Sequence, residues 1–403
     1  MSRRPGWLPP QLSPAAAAAR LRRAAGFLAR ALPLCRAHTV EFYTGGLWDR
    51  LVAPPPAAVL RELRAAGPLA LRRPLAEGGG AAAALWDDDD MFSDVFCENS
   101  KKLINVHLFA LAAKYYSLSS LGVCTPLEDV LEALRGDNQG TTGIKTDEFM
   151  NNKKSHEVQV MSELVDNIAN YCGIKQDCMM VGLHTCGDLA ANTLRIFTAK
   201  PEIKAVCSVG CCYHLLSEQF ENQEECPEEV WGFPMCQYLK DEGWCCGRNA
   251  RMSACLALER VAVGQMLPTE SLFYRAVLQV IIEEIYGVTK SDRHVGKIFS
   301  KSSSFIDYVR KSLKKLELDD SKLPDSCIMD YYEKYKHRMN ELEAFNMLKV
   351  VLAPCIELLI LLDRLCYLKE QDNIAWSGLV KLFDPVKSPR CYAVIALKKQ
   401  SCF

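Results

Sequence analysis

The stretch MMVGLHTCGDLA, residues 179–190, decides the fold. A short apolar run gives way to small and polar residues that open a helix. A buried parallel strand delivers side chains in this way to the carboxyl edge of an α/β sheet, where such sheets bind ligands. The pattern predicts His184, Thr185, Cys186, Gly187 and Asp188 at that edge. A second unit, IKAVCSVGCCYHLL at 203–216, repeats the delivery with Gly210, Cys211, Cys212, Tyr213 and His214. No glycine-rich cofactor loop precedes either unit.

Upstream, SHEVQVMSELVDNIANYCG at 155–173 reads as one amphipathic helix. Val158, Met161, Leu164, Val165, Ile168 and Tyr171 share a face, Ser155 is placed to cap the start and Gly173 to stop it. Ile174, Lys175, Gln176, Asp177 and Cys178 are all that separate this helix from the strand at 179. Residues 1–75 read as helical, broken at Pro54–Pro56, and 76–90 is a low-complexity loop of glycine, alanine and aspartate. Helical patterning returns over 91–135, where Thr125 is expected to cap a helix with Pro126 in its first turn. Residues 136–152 are polar and read as loop. Downstream, 217–247 is loop-rich and 248–287 mainly helical. A long apolar helix kinked at Pro354 covers 340–370, and two β-rich runs at 377–399 read as a hairpin.

The chain has 403 residues, 49% of them hydrophobic, and a formal net charge of −1. That balance excludes a whole-chain basic footprint for non-specific nucleic-acid binding. Nineteen cysteines spread from Cys35 to Cys402, with no secretory signal, point to free thiols in a reducing compartment. No membrane span is expected, because VVLAPCIELLILL at 350–362 carries Pro354 and Glu357 and is too short, so it reads as a buried helix. The first forty residues hold seven arginines and no acid, a mitochondrial-transit composition. The helical spacing of Leu21, Ala25, Leu28 and Leu32 favours a helix of the folded domain instead. The expected location is the cytoplasm or nucleus.

KKSHEV at 153–158, MVGLHTCGDLA at 180–190, SVGCCYHLL at 208–216 and the terminal CYAVIALKK together resemble the methyltransferase-like protein 25 family over nearly the whole chain. The resemblance implies an S-adenosyl-L-methionine-dependent methyltransferase with a seven-stranded Rossmann-like sheet behind a helical N-terminal region. MMVGLH would be its fourth strand, AVCSVG its fifth, and the terminal pair its sixth and seventh. The family's first strand, its acidic glycine-rich loop, and its second and third strands should lie after the helix at 155–173. Three β–α units need on the order of 60–90 residues at about 30 for a βαβ unit. They are absent from this chain, as in a splice form. The expected fold class is therefore α/β, a partial Rossmann-like methyltransferase sheet with strands in the order 4-5-7-6. The expected domains are a helical region over 1–150 and a truncated methyltransferase-like domain over 151–403. The fourth strand becomes an exposed edge.

Candidate site residues follow from the edge and from the resemblance. For catalysis they are His184, either a general base or a buried, hydrogen-bonded histidine at a strand end, Asp188, either a helix N-cap or a carboxylate orienting the methyl-accepting nitrogen, and Tyr213, either loop core or a platform for a planar substrate. On the family's cofactor side stand Lys154, His156, Glu157, Thr185, Cys186 and Gly187. Cys211, Cys212 and His214 would border the acceptor, whether protein, RNA or small molecule. No metal site is expected: a cysteine-rich zinc module remains an alternative, but adjacent Cys-Cys pairs are not the Cys-x-x-Cys knuckle. The other alternative is a non-catalytic interaction protein. The donor's binding elements are the missing ones, so donor binding is expected to be impaired.

Overall fold

A computed structural model of the chain describes residues 8–65, 92–135, 151–174, 178–221, 230–256, 258, 261, 269–287 and 302–399. The predicted loop at 76–90 and almost all of that at 136–152 lie outside these residues.

Among them the chain begins with α1 (Pro14–Arg36), whose first turn is capped by Ser13 accepting from the Ala16 amide. Leu21, Ala25, Leu28 and Leu32 are all buried, so this arginine-rich segment is part of the folded core. Short helices α2 (Leu47–Leu51) and α3 (Pro56–Ala65) follow, the second starting where the prolines break the first run. Next come α4 (Val106–Tyr115), a two-residue strand β1 (Cys124–Thr125) and α5 (Leu127–Arg135). Thr125, expected as a cap, instead pairs in parallel with a C-terminal strand, because extended backbone ahead of Pro126 suits a sheet partner.

The central helix α6 (Asn152–Cys172) starts three residues before the predicted position. Asn151 is the N-cap, accepting from the Lys154 amide at 2.8 Å, which places Lys153 to Glu157 inside the first two turns. Gly173 ends the helix as predicted, at φ 62°. Then β2 (Cys178–Thr185), α7 (Asp188–Ala199) and β3 (Ile203–Gly210) form the two predicted delivery units. Two short helices, α8 (Gln237–Asp241) and α9 (Arg248–Ser253), lead to α10 (Thr269–Tyr286), α11 (Phe305–Lys315) and α12 (Asp325–Lys336). The 31-residue α13 (Met339–Lys369) follows, with Pro354 inside it. It is long and apolar enough to cross a membrane, contrary to the length expected, yet 89% of its most apolar window is buried inside the protein. A helix that is apolar all round belongs in a core. α1 and α13 pack together at its centre.

The chain closes with β4 (Ile374–Lys381) and β5 (Tyr392–Lys398), the predicted hairpin. The sheet runs β1-β4-β5-β3-β2. β2 and β3 are parallel, with Met180 opposite Val206; β3 and β5 are antiparallel, with Cys207 opposite Ile395. The predicted succession of four strands is therefore observed, extended at the far end by β1. The central strands β3 and β5 are buried along almost their whole length, which is why they read as continuous apolar runs. β2 pairs only with β3 among the described residues, and Val181 in its middle is 47% exposed. α6 lies against β3, where Met161 Sδ is 4.0 Å from Cys207 Sγ. Seventeen cysteines fall among the described residues, all as free thiols.

Candidate active site at the carboxyl edge

The parallel strands bring their last residues to one edge, and the loops beyond them carry most of the predicted site. At the end of β2, His184 has φ +64°, a left-handed conformation uncommon outside glycine. Its imidazole is 42% exposed, with Nε2 3.3 Å from Glu157 Oε2. Thr185 turns the other way and is buried, its hydroxyl donating to Val209 O at 2.9 Å and lying 3.0 Å from Ser208 Oγ. Thr185 thus ties β2 to β3.

Gly187 is the N-cap of α7, with φ 54° and ψ −132°. A Cβ there would sit 2.6 Å from Leu215 O, so the bare backbone is packed against the protein's own chain. Asp188 is the first residue of the helix rather than its cap. Its Oδ1 accepts from the Ser217 amide at 2.8 Å, and Gly232 approaches so closely that a Cβ would meet that oxygen at 1.9 Å. The carboxylate is therefore committed to the loop after β3.

Glu157 is the hub of the edge. Although only 3% exposed, it accepts from Ser388 Oγ at 2.6 Å and lies 3.4 Å from Lys153 Nζ, in addition to His184. A buried carboxylate is tolerated when paired and hydrogen-bonded in this way. One turn position earlier, His156 Nε2 accepts from the Asp384 amide at 3.1 Å. The predicted His156 and Glu157 thus meet the β4–β5 loop and the end of β2. Lys154 is exposed, its amide taken by the Asn151 cap.

Tyr213 lies elsewhere. It is 2% exposed, its hydroxyl donates to Glu357 Oε1 at 2.8 Å, and Arg364 and Arg390 lie 5.9 Å and 5.7 Å from its ring centroid. Burial, then the Glu357 charge, push the phenol well above its usual range. The ring is enclosed between protein cations, so no face is presented to a planar substrate. Burial opposes the charge on Arg390, but Glu357 at 3.1 Å together with Tyr213, Cys255 and Cys391 raises the guanidinium.

Cys186, Cys211 and Cys212 converge: their sulfurs are 2.8 Å (186–211), 3.4 Å (186–212) and 3.6 Å (211–212) apart. The hydrogen bond with Cys211 lowers the Cys186 thiol, whereas burial raises Cys211 and Cys212. His214 Nδ1 is 3.7 Å from Cys255 Sγ, and burial together with Arg248 and Arg251 holds its imidazole below the usual range.

Sequence reasoning missed Ser388, Glu357, Arg390 and Cys255. The only signal was the Ser-Pro and Asp-Pro punctuation of the β4–β5 loop; Glu357 is hidden in an apolar helix. A cavity of about 110 Å³ opens at the same edge between α4, α13 and that loop, lined by Ala113, Glu357, Lys381, Arg390 and Tyr392. That is below the roughly 300–1,000 Å³ of pockets that enclose a drug-sized ligand.

Among the described residues, Gly187 and Asp188 do not fit a methyl donor. Its carboxylate needs an open backbone bend, but Gly187 is closed by Leu215; the nearest acid, Asp188, is closed by Ser217 and Gly232. On α11 the basic residues Arg310, Lys311, Lys314 and Lys315 form a run in which Arg310 is bound to Asp325 and Lys311 to Asp307.

A family model described as a methyltransferase domain matches residues 147–219, which include every predicted site residue. The human protein named "Probable methyltransferase-like protein 25" is 46% identical over 590 aligned positions, covering 95% of this chain and 97% of its own length. The mouse protein of the same name is 43% identical over 576 positions, covering 93% and 95%. The chain has 403 residues, so at least 187 of those 590 positions (590 less 403) have no residue of it opposite them. No solved structure matches the chain.

Proposed function

The chain belongs to the family of methyltransferase-like protein 25, and from that premise we propose that it keeps the acceptor-side edge of an S-adenosyl-L-methionine-dependent methyltransferase while being unable to hold the donor. The observation that carries this reading is the position of β2. In the family sheet its counterpart has three strands beyond it; here it is an edge, with only residues 175–177 between Ile174 and Cys178. The aligned positions left unfilled by this chain support the loss of an internal block, as does the closure of Gly187 and Asp188 by the protein's own atoms. An internally shortened splice product accounts for all three.

What survives is the His184–Glu157 pair, held at the rim by Lys153 and Ser388. An imidazole there is placed to take a proton from an approaching acceptor, whether protein, RNA or small molecule. Without a donor the chain acts as a non-catalytic partner that presents this edge, in the cytoplasm or nucleus where its thiols stay reduced.

Isothermal titration of the purified chain with S-adenosyl-L-methionine, and with S-adenosyl-L-homocysteine, tests the reading. No heat of binding at micromolar concentrations is expected. Saturable micromolar binding of either one would overturn it.

A further inference from the structure

We propose that Cys186, Cys211 and Cys212 hold a soft divalent metal ion, zinc by chemical preference, with Cys255 supplying a fourth thiolate. The three sulfurs lie within 4.8 Å of one another although they come from two different strand-to-helix loops. Zinc bound to four sulfurs at about 2.3 Å in a tetrahedron sets its sulfurs about 3.8 Å apart. The 186–212 and 211–212 separations of 3.4 Å and 3.6 Å already approach that edge length. The 186–211 separation of 2.8 Å needs opening by about 1 Å, which an ion between the sulfurs would impose.

Adjacent cysteines point to opposite sides along a strand, so a vicinal pair converges on a third sulfur only if the chain turns between them. It does: Cys212 has φ −94° and ψ 73°, close to an inverse γ-turn. That turn directs both sulfurs of the pair to Cys186. Cys255 follows α9 and reaches the same loop, its sulfur 3.8 Å from Cys211 O and 3.7 Å from His214 Nδ1. Its sulfur stands outside the group of three, and completing the shell requires it to turn from these contacts toward the cluster.

A further observation separates this cluster from ordinary core cysteines. Cys35, Cys207 and Cys355 are fully buried, whereas all four proposed ligands are only partly buried, at the rim where an ion has access. His214 would orient Cys255 from outside the coordination shell, as outer-shell histidines and amides do around metal sites. On binding, each thiol releases its proton to solvent and its sulfur lone pair forms the bond to the ion; nothing is oxidised. Soft thiolate sets select zinc over magnesium or calcium. The proposal is independent of donor binding.

The full chain, purified under reducing conditions and reconstituted with zinc, should carry one equivalent by elemental analysis. Cobalt titration should give tetrahedral visible bands and a near-ultraviolet charge-transfer band with the intensity of four thiolates. Cys186→Ser and Cys211→Ser should abolish the bound metal; Cys255→Ser should keep it more weakly with a three-thiolate spectrum; Cys327→Ser, on α12, should change nothing. A folded chain that takes up no metal, a cobalt spectrum with fewer than three thiolates, or a Cys186–Cys211 disulfide found by peptide mapping in place of the ion would each overturn the proposal. The cobalt spectrum of the unmodified chain keeps the test decisive even if a serine variant fails to fold.

Discussion

The hydroxyl of Ser388 donates to the carboxylate of Glu157 at 2.6 Å, joining the start of α6 to the β4–β5 loop across 231 residues of sequence. Both side chains are buried, and the same carboxylate faces His184 at the end of β2. One acid thus holds together three segments that the sequence keeps far apart.

Glu157→Ala should cost about 2 kcal/mol, because it leaves the buried Ser388 hydroxyl without its close acceptor and Lys153 without its counter-charge. Glu157→Gln, which preserves an acceptor oxygen, should cost less. Urea denaturation followed by circular dichroism measures both. Equal stability of the alanine variant and the native chain would show that the hub does not anchor α6.

Gly187→Ala should destabilise by about 3 kcal/mol, combining a conformation that L-residues avoid with contact against Leu215 O. Gly173→Ala, also left-handed but with nothing within 4 Å of the added methyl, should cost only about 1 kcal/mol. Thermal melts of the two variants distinguish a packed glycine from a merely permissive one.

Lys349 is buried beside the Ala37 carbonyl, and burial lowers its ammonium to about 8 from 10.5. Between these values the unfolded chain binds more protons than the folded one, so stability should rise with pH from about 8 to 10.5, by on the order of 3 kcal/mol. Below pH 8 the charged amine is carried at a cost. Lys349→Met should therefore stabilise the protein at pH 7 and flatten that rise. Denaturant midpoints measured across the window read the slope; an unchanged slope in the variant would assign it to other groups.

An edge strand with an exposed apolar residue recruits other strands. The chain should self-associate with increasing concentration, and Val181→Lys on β2 should suppress this without loss of secondary structure. Sedimentation velocity at several concentrations measures it. A native chain that remains monomeric throughout would show the edge to be protected.

Much of the sheet was legible before any coordinates. AVCSVG read as a strand because a parallel strand covered on both faces is continuously apolar, MMVGLH because a short apolar run there ends in small and polar residues although β2 is only partly covered, and the terminal runs read as a hairpin from their proline-marked turn. Helix boundaries were less legible. Asn151 and Ser155 are both acceptable caps, and only the backbone path showed which amide lay within reach. Thr125 escaped because a two-residue strand has no periodicity of its own.

By itself the sequence determined the succession of strands, the buried character of α13 and the lack of room for three strand units before Cys178. Those are matters of local pattern and chain length, and both are present in linear order. Only the tertiary structure decided that Tyr213 is enclosed by Arg364 and Arg390, that Asp188 serves the loop after β3, and that Cys186 meets Cys211 and Cys212. Such relationships depend on the directions in which separate loops leave a shared sheet edge. Strand register and packing set those directions, and residue spacing does not encode them.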